Sequence, residues 1–422
     1  MNSKTNEQQL AFEKLAKLKV GALFMEMGTG KTKVALDLIK SKIHKVDYVL
    51  WICPCSLKNE IEAERQKWHA DLRLDVVGCE SIGMSDRIYL ETLEKMQGKR
   101  CFVVVDESLK IKNKEAKRTE RILKIGELAT YKLILNGTPL SKNVLDLWTQ
   151  MQFLSPKILN MSYSQFKDIY CEYYIRGKLK GMVKKQYNIE HLISLIQPYI
   201  FDCELDIEAR ISYHDITYSM SATEFEEYEF IKADFLNKCF DDMNGVDFFA
   251  LTQLLQSHYC GATEKRLELN RLIDDIDGKV IVFVKYLNSI PDGALKVIGE
   301  MNTEQRAKAI QRFKDGEKVL YITYGCGAYG LNLQFCKNII FAEHSFDYAQ
   351  REQAEARIYR MGQEYDVDYY NLWCNVGLER LIQGSLNKKS NLLDEVKKEI
   401  AKKGVKEWVK SCLLYTSDAA DD

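Results

Sequence analysis

What this sequence has little of narrows its function first. Its 60 Lys and Arg are matched by 61 Asp and Glu, a formal net charge of −1, so it has no cationic excess with which to hold a polyanion by bulk attraction. Any grip on nucleic acid must be local. No uncharged apolar run approaches the ~18 residues that span a bilayer, and Met1-Asn2-Ser3-Lys4-Thr5-Asn6 offers no apolar signal-peptide core. The expectation is a cytoplasmic protein, in a bacterium or an infected host cell, with no membrane partner. The twelve cysteines are scattered, with no C-x-x-C pair and no histidines at zinc-ligand spacing. They read as reduced packing residues, Cys53 and Cys101 lying inside apolar strands.

What is there is an ordinary globular composition, 46% hydrophobic and 29% charged over 422 residues, enough apolar material for two cores and for roughly two to four domains. The chain is organised around Met25-Glu26-Met27-Gly28-Thr29-Gly30-Lys31-Thr32. An apolar strand, Ala22-Leu23-Phe24-Met25, runs through this turn into a helix with Val34, Ala35, Leu38 and Ile39 on one face, the context that a phosphate-binding P-loop demands. Gly28 and Gly30 let backbone N–H groups turn inward on an anion, flanking Thr29, and the helix N-terminus adds partial positive charge. Lys31 would reach the β- and γ-phosphates of ATP, and the Thr32 hydroxyl would ligate Mg²⁺. Met25 stands where the general motif has its first glycine.

Upstream, a helix with Leu10, Phe12, Leu15 and Leu18 carries Gln8 and Gln9. Either amide could read an adenine edge with donor and acceptor together, and either could equally be a solvated residue at a helix start. Tyr48-Val49-Leu50-Trp51-Ile52-Cys53 is a second buried strand, ending in Pro54 and Ser56. Cys101-Phe102-Val103-Val104-Val105 is a third, of the continuous apolar kind found in parallel sheets, and it delivers Asp106-Glu107 at its C-terminal end. Two adjacent carboxylates at a strand tip suit an NTPase: Asp106 would hold Mg²⁺ through water, and Glu107 would orient and deprotonate the attacking water. A further strand, Lys132-Leu133-Ile134-Leu135, leads into Asn136-Gly137-Thr138-Pro139-Leu140.

The second half begins a new alternation, with strands at 279–284, 295–298, 319–322, 338–341 and 367–370 and a helix over 303–314, which predicts a second parallel sheet. It has no P-loop of its own. It does contain Gln353-Ala354-Glu355-Ala356-Arg357-Ile358-Tyr359-Arg360-Met361-Gly362-Gln363, where helical spacing would put Gln353, Arg357 and Arg360 on one face. Guanidiniums offer bidentate, permanently charged donors to a leaving γ-phosphate, a contribution of ~10³–10⁵ in rate where such fingers act.

Three runs of the first half, Met27-Gly28-Thr29-Gly30-Lys31-Thr32, Asp106-Glu107-Ser108 leading to Ile111-Lys112-Asn113, and Gly137-Thr138-Pro139-Leu140 leading to Asp146-Leu147-Trp148 and Phe153-Leu154-Ser155-Pro156, resemble the Swi/Snf-type branch of superfamily-two helicases in order and spacing. In the second half Gln-x-x-x-Arg-x-x-Arg-x-Gly-Gln is the most specific part of the match, and Gly327-Ala328-Tyr329-Gly330-Leu331-Asn332-Leu333-Gln334 is similar to the family's loop that couples nucleotide to polymer. The resemblance covers about Gln8 to Lys398. It implies an α/β fold of two tandem RecA-like lobes: residues 1–205, with a helical protrusion over about 157–205, and residues 206–410, with a helical insertion over about 222–260. It further implies ATP·Mg between the lobes, completed by Arg357 and Arg360, and movement along DNA, mainly duplex, tracked through its phosphates. Gly330 and Gln353 join the nucleotide contacts, while Pro54, Ser56, Ser81 and Gly327 are polymer contacts by position only.

Leu109 stands where the family has the histidine of its Asp-Glu-x-His box, and Asn136 where it has threonine, so the resemblance supports turnover more firmly than coupling. An RNA-directed helicase and an ATP-gated clamp without turnover remain alternatives, since phosphate tracking does not report the sugar. The absence of an appended reader domain favours a compact, monomeric prokaryotic or phage-like enzyme over a chromatin remodeller. The basic stretch Arg176, Lys178, Lys180, Lys184 and Lys185, around an expected hairpin, could touch phosphates or be a solvated face. The Lys388 to Lys410 segment reads as an amphipathic helix, and residues 411–422 as an extraneous or disordered tail.

Overall fold

A computed structural model describes residues 5–137, 144–173, 183–239, 245–327, 333–360 and 362–388. The described chain divides between Ile207 and Glu208 into two compact units, each built on one six-stranded, wholly parallel sheet. This is the doubly wound, RecA-like α/β arrangement expected. No helix among the described residues is long and apolar enough to cross a membrane.

The first unit contains β1 (Val20–Met25), β2 (Tyr48–Cys53), β3 (Asp75–Gly78), β4 (Cys101–Val105), β5 (Ala129–Asn136), β6 (Cys171–Tyr173), β7 (Val183–Gln186) and β8 (Ile200–Cys203). Its sheet runs β3-β2-β4-β5-β1-β8. Alternate residues of each central strand feed two separate cores, as a pleat covered on both faces requires. Leu50, Ile52, Val103 and Val105 point to one face, and Trp51, Cys53, Phe102 and Val104 to the other. The register aligns Phe24 with Asn136 and Ile52 with Val105, so the loops after β1, β2, β4 and β5 all leave from the carboxyl edge, where ligands of open α/β sheets bind.

Two features of this unit differ from the sequence reading. β8, inside the stretch read as a helical protrusion, is the sheet's edge strand and pairs Met25 with Cys203; only four residues long and half exposed, it carries no continuous apolar run. In the N-terminal helix, Asn6–Ala16, the core face is Gln8, Ala11 and Leu15, while Leu10 points to solvent. Of the basic stretch, Arg176, Lys178 and Lys180 lie outside the described residues. Lys184, on the antiparallel β6–β7 pair, bridges Glu172 at 2.6 Å, as a surface ion pair does.

The second unit contains β9 (Ile211–Tyr218), β10 (Val280–Val284), β11 (Lys296–Val297), β12 (Val319–Thr323), β13 (Asn338–Phe341) and β14 (Val367–Cys374) in the order β11-β12-β10-β13-β14-β9. β9, an edge strand absent from the sequence reading, pairs with β14 over eight residues from Val367–Ile211 to Cys374–Tyr218. Helices Ala222–Cys239, Gly245–Cys260 and Thr263–Asp275 lie between β9 and β10.

Candidate nucleotide site and its relatives

The P-loop is shaped by its glycines. Gly28 and Gly30 have φ of 83° and 84°, in the left-handed region that side chains resist. Thr29 ties the turn down, its hydroxyl donating to the Glu26 carbonyl at 2.7 Å, and the Glu26 carboxylate accepts the Leu205 amide at 2.7 Å. Gly30 is the N-cap of helix Lys31–Lys42 and supplies no side-chain cap, so the first helical amides are left for an anion.

Of the two glutamines, Gln9 is spent on Glu13 at the surface. Gln8 is buried; its Nε2 donates to the Thr29 carbonyl at 2.9 Å, and its Oε1 accepts from the Thr5 amide in a capping box. A Cβ at Gly30 would lie 2.3 Å from Gln8 Nε2. Gln8 is thus a strut beneath the P-loop, and its helix is the platform.

Asp106 and Glu107 stand at the tip of β4, in the same sheet and two strands from β1. Asp106 is buried, and that burial, reinforced by the neighbouring Glu107 charge and opposed by Lys31, lifts its carboxyl to about 7. A buried acid whose anionic form is this costly, with Lys31 close enough to oppose the shift, suits a divalent cation; Asp106 and Thr32 fit that role. Glu107 adopts φ 50°, one of the few non-glycine residues described in the left-handed region. Such strain collects at functional positions. The next residue is pinned, Ser108 Oγ donating to Gln150 Oε1 at 2.6 Å, a buried latch to helix Leu145–Leu154 that the sequence reading did not include. The β5 tip closes in as well, a Cβ at Gly137 falling 3.8 Å from Lys31 Nζ. Asn136 is buried, its side-chain oxygen accepting from the Gly137 amide at 3.0 Å. Thr138, Pro139 and Leu140 lie outside the described residues.

In the second unit one geometric expectation is corrected. The helix carrying Gln353, Tyr348–Glu355, ends before Arg357 and Arg360, so the three do not share a helical face. Beyond Glu355 the backbone passes into turns: Arg357 N donates to Ala354 O at 3.2 Å, and Ile358 N and Tyr359 N both donate to Glu355 O at 3.3 and 3.2 Å, while Tyr369 Oη donates to Glu355 O at 3.0 Å and the Leu333 amide to Arg357 O at 3.3 Å. The two arginines instead ride a chain of turns held by buried Gln363, whose Nε2 donates to the carbonyls of Ile358, Gln334 and Cys336. Gly330 lies outside the described residues, and Gly327 ends the short helix that follows β12. Among the proposed polymer contacts, Pro54 is buried and offers no side-chain surface, whereas Ser56 and Ser81 are partly exposed.

Residues 85–250 match the SNF2-related domain, and residues 264–362 match the helicase conserved C-terminal domain. The chain belongs to the Swi/Snf-type branch of superfamily-two helicases. One curated relative, the DNA annealing helicase and endonuclease ZRANB3 of Bos taurus, is 24% identical over 418 residues, covering 87% of this chain and 38% of that protein. The uncharacterized ATP-dependent helicase YqhH of Bacillus subtilis is 24% identical over 335 residues, 71% of this chain and 60% of its own. This Swi/Snf-type chain therefore spans only part of the length of these relatives. Among solved structures, the Sulfolobus solfataricus SWI2/SNF2 ATPase core in complex with dsDNA is similar with a TM-score of 0.43 at 19% identity, covering 98% of this chain and 97% of that one.

Sequence reasoning missed a second organising centre in this Swi/Snf-type chain, around Glu343 just after β13. Its carboxylate is buried against Lys265 at 2.5 Å and accepts the Lys285 and Tyr286 amides at 2.6 and 2.8 Å, shaping the loop after β10. The Tyr324 hydroxyl, after β12, donates to its carbonyl at 2.7 Å. The only sequence signal was a pair of titratable residues, Glu343-His344, one residue after an apolar strand.

Proposed function

We propose that this protein is a nucleic-acid-stimulated ATPase that spends ATP on movement along duplex DNA. The observation that carries the reading is the P-loop cradle after β1 with Asp106 and Glu107 at the tip of β4, two strands away in the same sheet. Lys31 and the helix N-terminus bind the β- and γ-phosphates of ATP, and Gln8, which holds the P-loop from below, is assigned to the nucleotide contacts. Thr32 and Asp106 hold Mg²⁺, which when bound offsets charge on the phosphates. Glu107 orients the attacking water and takes its proton. Arg357 and Arg360, from their place in the family's arginine motif, are assigned the charge of the leaving phosphoryl group, with Gln353 beside them among the nucleotide contacts.

Partly exposed Ser56 and Ser81, with the backbone at Gly327, are assigned to the phosphates of the polymer, and the enzyme acts as a monomer. The relative ZRANB3 is named as a DNA annealing helicase and endonuclease, which supports DNA over RNA as the track. The test is the ATPase rate measured in parallel with no polymer, single-stranded DNA, duplex DNA and RNA, alongside displacement of a triplex-forming strand. Duplex should stimulate most, and Glu107→Gln should bind ATP yet lose about 10²-fold or more of the stimulated rate, the scale of general-base catalysis. Absence of hydrolysis over every polymer, with DNA binding indifferent to Lys31→Ala, would replace this reading with that of a clamp.

A further inference from the structure

β2 and β3 are neighbours, with Cys53 in register with Gly78, and the segments that follow them turn toward each other at the carboxyl edge of the first unit's sheet. After β2 comes the short turn Cys55–Leu57; after β3 comes helix Cys79–Met84. They are knitted at one point. The Cys55 amide donates to Glu80 Oε2 at 2.9 Å, and the Cys55 thiol lies 3.3 Å from Ser81 Oγ. A Cβ at Gly78 would fall 2.1 Å from Cys55 Sγ, so only glycine permits this approach. The loop after β4 joins in, Lys110 Nζ standing 4.0 Å from Glu80 Oε1 while the Lys110 carbonyl accepts from Arg118 Nε at 2.9 Å.

This edge carries exposed Lys58, next to the turn that holds Ser56, and exposed Lys110, beside Glu80, in a chain with no overall cationic excess. A carboxylate among those lysines would repel phosphate unless it did something else. Its contacts say what. Burial pushes the Glu80 carboxyl up, yet the Cys55 amide and the groups around it outweigh burial and hold it below its ordinary range.

We infer that Glu80 is a positioning residue for the polymer: by clamping the Cys55 amide it holds the loop after β2 against the loop after β3, so that Ser56 and Ser81 present one continuous surface to the phosphate backbone. Gly78 makes room for the clamp, and the Cys55 side chain sets its thickness. The inference rests on the functional reading above, which makes Ser56 and Ser81 phosphate contacts, and it adds the residue that aligns them.

The full-length chain is titrated with a short blunt duplex, reading ATPase rate and, separately, anisotropy of the labelled duplex. Glu80→Ala should raise the half-saturating duplex concentration about 10-fold, which is about 1.4 kcal/mol, with the polymer-free rate unchanged and the saturated rate within about twofold of wild type. Glu80→Gln, whose amide oxygen still accepts from Cys55, should restore the wild-type midpoint. Gly78→Ala should reproduce the Glu80→Ala shift, and Cys55→Ala, which removes the atom struck by the new methyl, should relieve it. Midpoints within twofold of wild type for both Glu80→Ala and Gly78→Ala overturn the clamp, as does tighter binding by Glu80→Ala, which would make Glu80 a simple repeller. A wild-type protein that neither binds duplex nor responds to it removes the functional reading itself, and the clamp falls with it.

Discussion

Replacing Gly30 by alanine tests the strut beneath the P-loop, because the structure separates the cost into two parts. Gly30 has φ 84°, and holding an L-residue in the left-handed region costs about 1–2 kcal/mol. The new Cβ would also sit 2.3 Å from Gln8 Nε2, expelling the side chain that donates to the Thr29 carbonyl. Thr29 is only 2% exposed, so its carbonyl is stranded at a cost of about 1–3 kcal/mol. Gly30→Ala alone should therefore destabilise the first unit by about 2–5 kcal/mol, and Gln8→Ala alone by about 1–3 kcal/mol for the stranded carbonyl, to which the lost capping-box bond from the Thr5 amide adds. In the double variant that carbonyl is lost once, not twice, so the two effects should fall short of additivity by about 1–3 kcal/mol. Urea unfolding followed by hydrogen exchange at the β1 and β5 amides isolates this unit. Single effects that add to within about 0.5 kcal/mol would refute the strut and leave Gly30 needed for its backbone angle alone.

Two further outcomes concern the second unit. Glu379 is buried beside Lys265, Glu343, Lys285, His344 and the Tyr259 hydroxyl, and burial raises its carboxyl to about 8 from an ordinary value near 4.5. Between those values the folded chain keeps a proton that the unfolded chain has released, so the stability from the neutral acid is full below pH 4.5 and lost as pH rises through 8. Glu379→Gln, which cannot ionise, should gain on wild type by up to about 1.4 kcal/mol per pH unit across that window, seen in melting curves from pH 5 to 9; parallel curves would refute it. Lys265→Met removes the cation paired with buried Glu343 and should cost about 3–5 kcal/mol, partly recovered by adding Glu343→Gln, as measured by urea unfolding of β10 and β13 amides.

The sequence by itself determined the central strands and the residues that stand at their ends. Runs such as Val-Leu-Trp-Ile-Cys and Phe-Val-Val-Val have too few polar residues to face water on either side, so they become central parallel strands wherever they occur. Gly28, Gly30, Lys31 and Asp106-Glu107 needed only their position at strand ends to be read as a phosphate and cation site. The tertiary structure alone decided which glutamine supports the P-loop, because Gln8 and Gln9 differ only in the helix face that meets Thr29, twenty-one residues away in the case of Gln8. It alone showed that the arginine helix ends at Glu355 and gives way to turns, which Tyr369 and Leu333, on other segments of the chain, help to fix through the carbonyls of Glu355 and Arg357. The short edge strands β8 and β9 exist because a neighbouring strand offers a ladder, and Pro54 is buried while Cys55 is exposed because two loops meet there. Local composition specifies what a segment can become. Contacts between segments distant in the chain decide which of its groups are covered and which remain to do chemistry.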